Sequence, residues 1–266
     1  MCNWCCGVTV NARDEEKVIE ECLRSLRNQT LNLFVVVVND GSADRTREVA
    51  LKYADVVVDL PRHEESWTGR PELARVINAG FHILRRERVA YLMISGADAV
   101  YPQNYVEEII TRMKKENIVL ASGIAENEVS RSLSPRGCGR VIDVKWFRSV
   151  GFKYPENYGF ETYLVYKALS QGRKVALFQD LKFKLLRETR LLKRKLFLWG
   201  KGMRALNYWW PYALGRALLT GLKNPIGGYW MWRGYLSKVS LYEDIKRFTP
   251  NLQKKIFFER LKEALF

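Results

Sequence analysis

The chain has 266 residues, 47% of them hydrophobic, and a formal net charge of +15. That content supports a full-sized core and excludes a disordered chain. The longest uncharged apolar stretches, near 205–215 and 224–232, are too short to cross a bilayer as helices.

The first predicted strand is Cys5–Asn11, followed by a helix over Glu15–Asn28 with Val18, Ile19, Cys22, Leu23 and Leu26 on one face. Val35–Val38 are four β-branched residues in a row, which predicts a strand buried on both faces within Phe34–Asn39. The run stops at Asn39-Asp40-Gly41-Ser42, where Gly41 permits a tight turn and Ser42 or Asp44 can cap a helix reaching Tyr53. A strand at Val56–Leu60 follows, then polar turn formers over 62–70. Pro71 suits the first turn of a helix reaching Arg86. Ala90–Ser95 is predicted as a strand, Pro102–Glu116 as an amphipathic helix and Ile118–Ser122 as a strand. Glu126–Arg140 reads as a long loop shaping an acceptor site, Val141–Val144 as a strand, Phe160–Gln171 as a helix and Lys174–Phe178 as the last strand. Alternating strands and helices predict an α/β domain with a doubly wound, mainly parallel sheet over residues 1–180.

Open α/β sheets bind ligands at the carboxyl ends of their strands. Asp40 falls at such an end and offers an acceptor for a base imide or a ribose hydroxyl. Asn11-Ala12-Arg13-Asp14-Glu15 falls at the neighbouring strand end. Ser95-Gly96-Ala97-Asp98 falls at a third, where a carboxylate can hold a divalent cation bridging a diphosphate. Glu161 opens a helix after Gly159 and can take a proton from a hydroxyl. Singly, each of these is equally well read as a turn or first-turn helix residue.

Taken in order, the clusters resemble glycosyltransferase family 2, the inverting nucleotide-sugar transferases of the GT-A fold. Asn11–Glu15 resembles the family's P-A-x-N-E segment, and Val37–Thr46 its V-D-D-G-S-x-D-x-T segment. Ala74–Gly80 resembles A-x-x-x-N-x-G, and Gly96-Ala97-Asp98 stands where the family has D-x-D. Gly159–Leu164 stands for G-E-D-x-x-L, and Gly172-Arg173-Lys174-Val175 for G-x-x-V. The resemblance spans about residues 7–190. It implies that Asp40 contacts the base of a UDP- or GDP-sugar and that Asn11, Ala12, Arg13, Glu15, Arg75, Asn78 and Ala97 belong to the same donor site. It further implies that Asp98 binds Mg²⁺ or Mn²⁺ and that Glu161 is the catalytic base of a single inverting displacement. Three departures stand out: Asn39 for the first D of D-D-G-S, Asn11 for Pro, and Gly96 for the first D of D-x-D. The last leaves either a weaker metal site or one held mostly by the diphosphate. No His follows the last strand, so Arg187 or Lys184 is the expected source of positive charge there.

The five Cys form no paired framework, and Cys2-x-x-Cys5-Cys6 with two His in the chain does not complete a zinc site, so buried free thiols in a reducing compartment are expected. Met1–Gly7 lacks a basic n-region and does not read as a signal peptide. Residues 1–180 hold 25 Lys/Arg and 24 Asp/Glu, against 19 and 5 in residues 181–266, which also hold five of the eight Trp. This basic, Trp-rich helical extension suits a packed appendage, a peripheral anionic membrane surface or, least, nucleic acid. The favoured expectation is a cytoplasmic enzyme, peripheral to the cytoplasmic membrane face, acting on a glycan or lipid-linked acceptor. The alternatives are a polyprenyl-phosphate glycosyltransferase and a non-catalytic membrane- or nucleic-acid-binding module. A nucleotidyltransferase would need a basic, glycine-rich loop after the first strand, and Asn11–Glu15 is acidic and lacks glycine.

Overall fold

The computed structural model of the chain describes residues 5–126, 128, 134–187 and 193–265. Cys2 and parts of the expected loop 126–140 lie outside them. The residues cluster into two compact units. The first comprises Met1–Ser66, Arg75–Tyr154 and Gly172–Glu188; the second comprises Trp67–Ala74, Pro155–Gln171 and Thr189–Phe266.

The first unit contains an eight-stranded mixed sheet. Its strands are β1 (Cys6–Ala12), β2 (Leu33–Asp40), β3 (Val56–Leu60), β4 (Tyr91–Gly96), β5 (Ala99–Val100), β6 (Ile118–Ala125), β7 (Arg140–Asp143) and β8 (Lys174–Leu185), in the order β3-β2-β1-β4-β7-β6-β8-β5. The four strands from β3 to β4 are parallel, β7 is antiparallel to both neighbours, and β6 and β8 are parallel. Val35–Val38 are fully buried, as their unbroken β-branched run predicts. One face of the sheet is covered by α1 (Ile19–Arg27) and α4 (Tyr105–Glu116), whose Ile19, Leu23, Ile109 and Met113 join the core around Val8, Val10 and Met93.

Several boundaries differ from the sequence reading, each for a local reason. The helix expected from Glu15 begins only at Ile19, because the backbone N–H groups of residues 14–16 are drawn to the turn after β2. Asp14 N donates to Ser42 Oγ, Glu15 N to Thr46 Oγ1 and Glu16 N to Asp44 Oδ2, at 3.0, 2.7 and 3.0 Å. The next helix is short, α2 (Thr46–Ala50). Val144, expected in a strand, starts α5 (Val144–Ser149), because Asp143 Oδ1 accepts the Trp146 N–H at 2.6 Å as a helix cap. β8 runs on to Leu185 because its distal end pairs with the two residues of β5. On α3 (Leu73–Leu84), Gly80 lies so close to β1 that a Cβ would stand 2.0 Å from Thr9 Oγ1. Cys5, Cys6, Cys22 and Cys138 are free thiols.

The second unit holds α6 (Phe160–Ser170), α7 (Lys193–Ala205), α8 (Trp210–Lys223), α9 (Pro225–Tyr235) and α10 (Phe248–Leu265). Its core gathers Leu196, Met203, Leu206, Met231, Tyr235 and Ile245. Tyr163 stacks on Tyr242 with centroids 4.2 Å apart, and Tyr163 Oη and Lys167 Nζ both donate to Asp244 at 2.7 Å. No helix among the described residues is long and apolar enough to cross a membrane.

Candidate active site

The carboxyl ends of β1, β2 and β4 lie side by side, since Ala12 pairs with Asn39 and Asn11 with Gly96. This register brings three of the expected clusters to one rim of the first unit. Asp40 is buried there. Its Oδ2 accepts from His63 Nε2 at 3.0 Å, and Arg13 stands 3.8 Å away with its guanidinium bonded to the His63 ring and carbonyl. The other carboxylate oxygen, Oδ1, is buried without a hydrogen-bond donor among the described residues, as is Asn11 Oδ1. An unmatched buried acceptor costs about 1–3 kcal/mol, so the rim is arranged to receive donors.

The turn that presents Asp40 is built from its neighbours. Gly41 adopts φ +63°, and Arg62 donates to its carbonyl at 2.7 Å. Arg62 also binds Asp14, holding that carboxyl below its ordinary range. Asn39, one of the departures from the family pattern, donates through Nδ2 to Asp59 Oδ1 at 2.8 Å and accepts from Ser42 N at 3.3 Å. A second carboxylate at position 39 would face Asp59 directly across the ladder, so the amide avoids a like-charge pair.

A second group of charges lies at the same rim. Arg187 contacts Glu15, and its Nε lies 3.5 Å from Asp98 Oδ2. One cation thus stands between two carboxylates, and of the two expected cations it is Arg187 that faces Asp98. The Leu186 N–H donates to the Asp98 carbonyl at 2.8 Å, which fastens the end of β8 to this turn. A Cβ at position 96 would lie 2.9 Å from Asp98 Oδ1, so the Asp98 carboxylate leans over the position where the family carries its first acid. Among the described residues no group of three or more His, Cys, Asp or Glu is placed to hold a metal ion.

Burial pushes the Glu15 carboxyl up to about 7, Arg187 opposes this, and Asp98 adds to it. The fold therefore favours neutral Glu15. The stabilisation it contributes is complete below its ordinary value of 4.5 and is lost as pH rises through 7. Glu15→Gln is expected to stabilise the chain by about 1–3 kcal/mol at pH 8 and to leave it unchanged near pH 4.5. Chemical denaturation at the two pH values measures this, and equal shifts at both would contradict it.

The remaining expected residues are placed as follows. Ala12 is buried at the end of β1 and Ala97 in the turn just after β4. Arg75 is exposed in the first turn of α3. Asn78 spends its amide on Tyr154, Nδ2 donating to the carbonyl and Oδ1 accepting the N–H, both at 2.8 Å. Glu161 belongs to the second unit. It sits half-buried in the first turn of α6 behind Gly159 at φ +73°, and its charge opposes the depression that burial imposes on Lys195. His63 was not singled out from the sequence. Its signal was its place, three residues past the end of β3 and beside β2, where a polar side chain reaches the ligand edge.

The family model described as Glycosyl transferase family 2 matches residues 8–175. EpsH of Bacillus subtilis (strain 168), named as a glycosyltransferase, is 34% identical over 124 residues, covering 46% of this chain and 34% of EpsH. The aligned part thus spans about a third of that relative. Among solved structures, the mannosyltransferase PcManGT from Pyrobaculum calidifontis, in complex with GDP-Man and Mn²⁺, superposes with a TM-score of 0.62 at 14% identity, over 98% of this chain and 80% of that one. TarS 1–349 of Staphylococcus aureus in complex with UDP gives 0.55 at 15% identity, over 75% of this chain and 65% of that one. These likenesses carry the GT-A fold. On a family match that covers more than half its residues, the chain belongs to glycosyltransferase family 2.

Proposed function

We propose that this glycosyltransferase moves a sugar, with inversion, from a UDP- or GDP-sugar to a hydroxyl of a glycan on a lipid carrier at a membrane surface. The observation that carries the donor half is Asp40 Oδ1, a buried carboxylate oxygen with no donor among the described residues. The imide N–H of uracil or the ring N–H of guanine supplies what it lacks. Asn11, Ala12, Arg13, Glu15 and Ala97 form the surrounding donor site in this reading, Arg75 assists from α3, and Asn78 contributes through the Tyr154 backbone it holds.

The resemblance gives Glu161 the role of base. It takes the proton of the acceptor hydroxyl as that oxygen attacks the anomeric carbon. Arg187 turns from Glu15 and Asp98 toward the diphosphate and offsets its charge. The residues fit a metal in one respect: a cation already stands between Glu15 and Asp98. A divalent ion held by Asp98 and the diphosphate would neutralise the departing nucleoside diphosphate.

The membrane half rests on the basic, aromatic C-terminal helices, which suit peripheral attachment at the cytoplasmic face. The test incubates the purified chain with a panel of UDP- and GDP-sugars, Mn²⁺ and detergent-solubilised lipid-linked glycans. A product one sugar heavier, with inverted anomeric configuration, is expected. Absence of donor consumption across the panel would overturn the reading.

A further inference from the structure

Residues 189–242 contain ten Lys/Arg and no Asp or Glu. Within them α7, α8 and α9 are packed backbone to backbone. A Cβ at Gly200 would lie 2.0 Å from the Met231 carbonyl oxygen, and one at Gly228 would lie 2.6 Å from that of Ala217. α9 is therefore wedged between its neighbours as a rigid element.

The outer faces of this layer are apolar. On α8, Leu218, Leu219 and Leu222 share one face by the i, i+3 and i+4 spacings, and Leu219 and Leu222 are 67% and 82% exposed. On α9, Ile226, Tyr229 and Trp230 share a face in the same way, and all three are exposed. The two rows run up to one tight turn, where Asn224 Oδ1 accepts the Gly227 N–H at 2.9 Å and Pro225 opens α9. Arg216, Lys223 and Arg233 are exposed along the same two helices.

An exposed row of large apolar residues on a soluble surface marks a binding face. Along these two helices the charge is all of one sign, and that selects the occupant. Nucleic acid answers the charge but leaves the leucines in water. A second copy covers the leucines but brings two like-charged surfaces together. An anionic bilayer offers phosphates to the cations and acyl chains to the leucines, with Tyr and Trp suited to the headgroup level between. We infer that the α8–α9 turn is the element that seats this chain on an anionic membrane, with Leu218, Leu219, Leu222 and Ile226 entering the headgroup–acyl boundary. The inference rests on the membrane half of the proposed function and names the surface responsible.

The test is co-sedimentation of the full chain with vesicles of phosphatidylcholine alone or mixed with phosphatidylglycerol, at about 0.05 and 0.5 M salt. The chain is expected to bind the anionic vesicles, and more weakly at high salt. The double variant Leu218→Glu, Leu222→Glu is expected to lose about tenfold or more in partition while keeping its helix content and its affinity for nucleoside diphosphates. Lys223→Glu is expected to weaken binding mainly at low salt. If the double variant binds as the parent does, the α8–α9 assignment fails and the membrane reading stands. If the parent binds neither vesicle, the membrane reading fails with it, while nucleotide affinity reports separately on the donor site. A parent dimer that the double variant splits, with vesicle binding unchanged, would make this face a self-interface and overturn the assignment.

Discussion

Glu161→Gln is expected to lower turnover by about 10²–10⁴-fold with donor affinity nearly unchanged, a loss of about 3–5 kcal/mol from the transition state. Gln keeps the size and hydrogen-bonding reach of Glu but cannot accept the proton. The local fold should tolerate it. Gly159 caps the helix with a left-handed backbone, and a Cβ there would lie 3.2 Å from the Gly202 Cα, so backbone packing at Gly159 already pins the start of α6 against α7. Losing a first-turn carboxylate from a helix costs only about 0.3–1 kcal/mol of stability. That is too little to explain a thousandfold drop, so steady-state turnover beside a thermal melt separates the two effects. Unchanged turnover would remove Glu161 from the base role.

Gly41→Val is expected to destabilise the chain by about 3–5 kcal/mol, lowering its melting temperature by about 6–15 °C. Two penalties add. The backbone at φ +63° is left-handed, which a β-branched residue resists. The new side chain would also start 2.3 Å from the Arg62 Cα and 2.6 Å from its N, and backbone atoms there cannot swing aside. Arg62 is further tied to the Gly41 carbonyl and to Asp14, so relief of the clash would break those bonds as well. Denaturant titration measures the loss, and a change under 1 kcal/mol would show the turn to be plastic.

What was legible in the sequence is what short-range pattern controls. Val35–Val38 announced a buried strand, and the break at Asn39–Ser42 placed Asp40 at its end. The spaced clusters pointed to the family that the match over 8–175 bears out. What escaped depends on partners distant in the chain. The late start of α1 is set by Ser42, Asp44 and Thr46 capturing N–H groups some thirty residues earlier. Asn39 in place of an acid makes sense only once Asp59 is known to lie opposite. β5 is two residues long and exists through its pairing with the end of β8. His63 sits in a polar stretch whose composition says turn, and only the parallel register of β2 and β3 carries it to Asp40. The C-terminal helices were visible from their amphipathic residues, but the close crossing of α7, α8 and α9 was not, since isolated glycines in a helical pattern carry no address.

Asp40 is proposed to read the base of a nucleotide-sugar donor. The direct measurement is the thermal shift of the parent chain and of Asp40→Asn with UDP, GDP and the other nucleoside diphosphates, each with and without Mn²⁺. One diphosphate at about a hundred times its Kd is expected to stabilise the parent by about 2.7 kcal/mol, a rise of several degrees, and to shift Asp40→Asn far less. No shift with any nucleotide, or an equal shift in the variant, would contradict it.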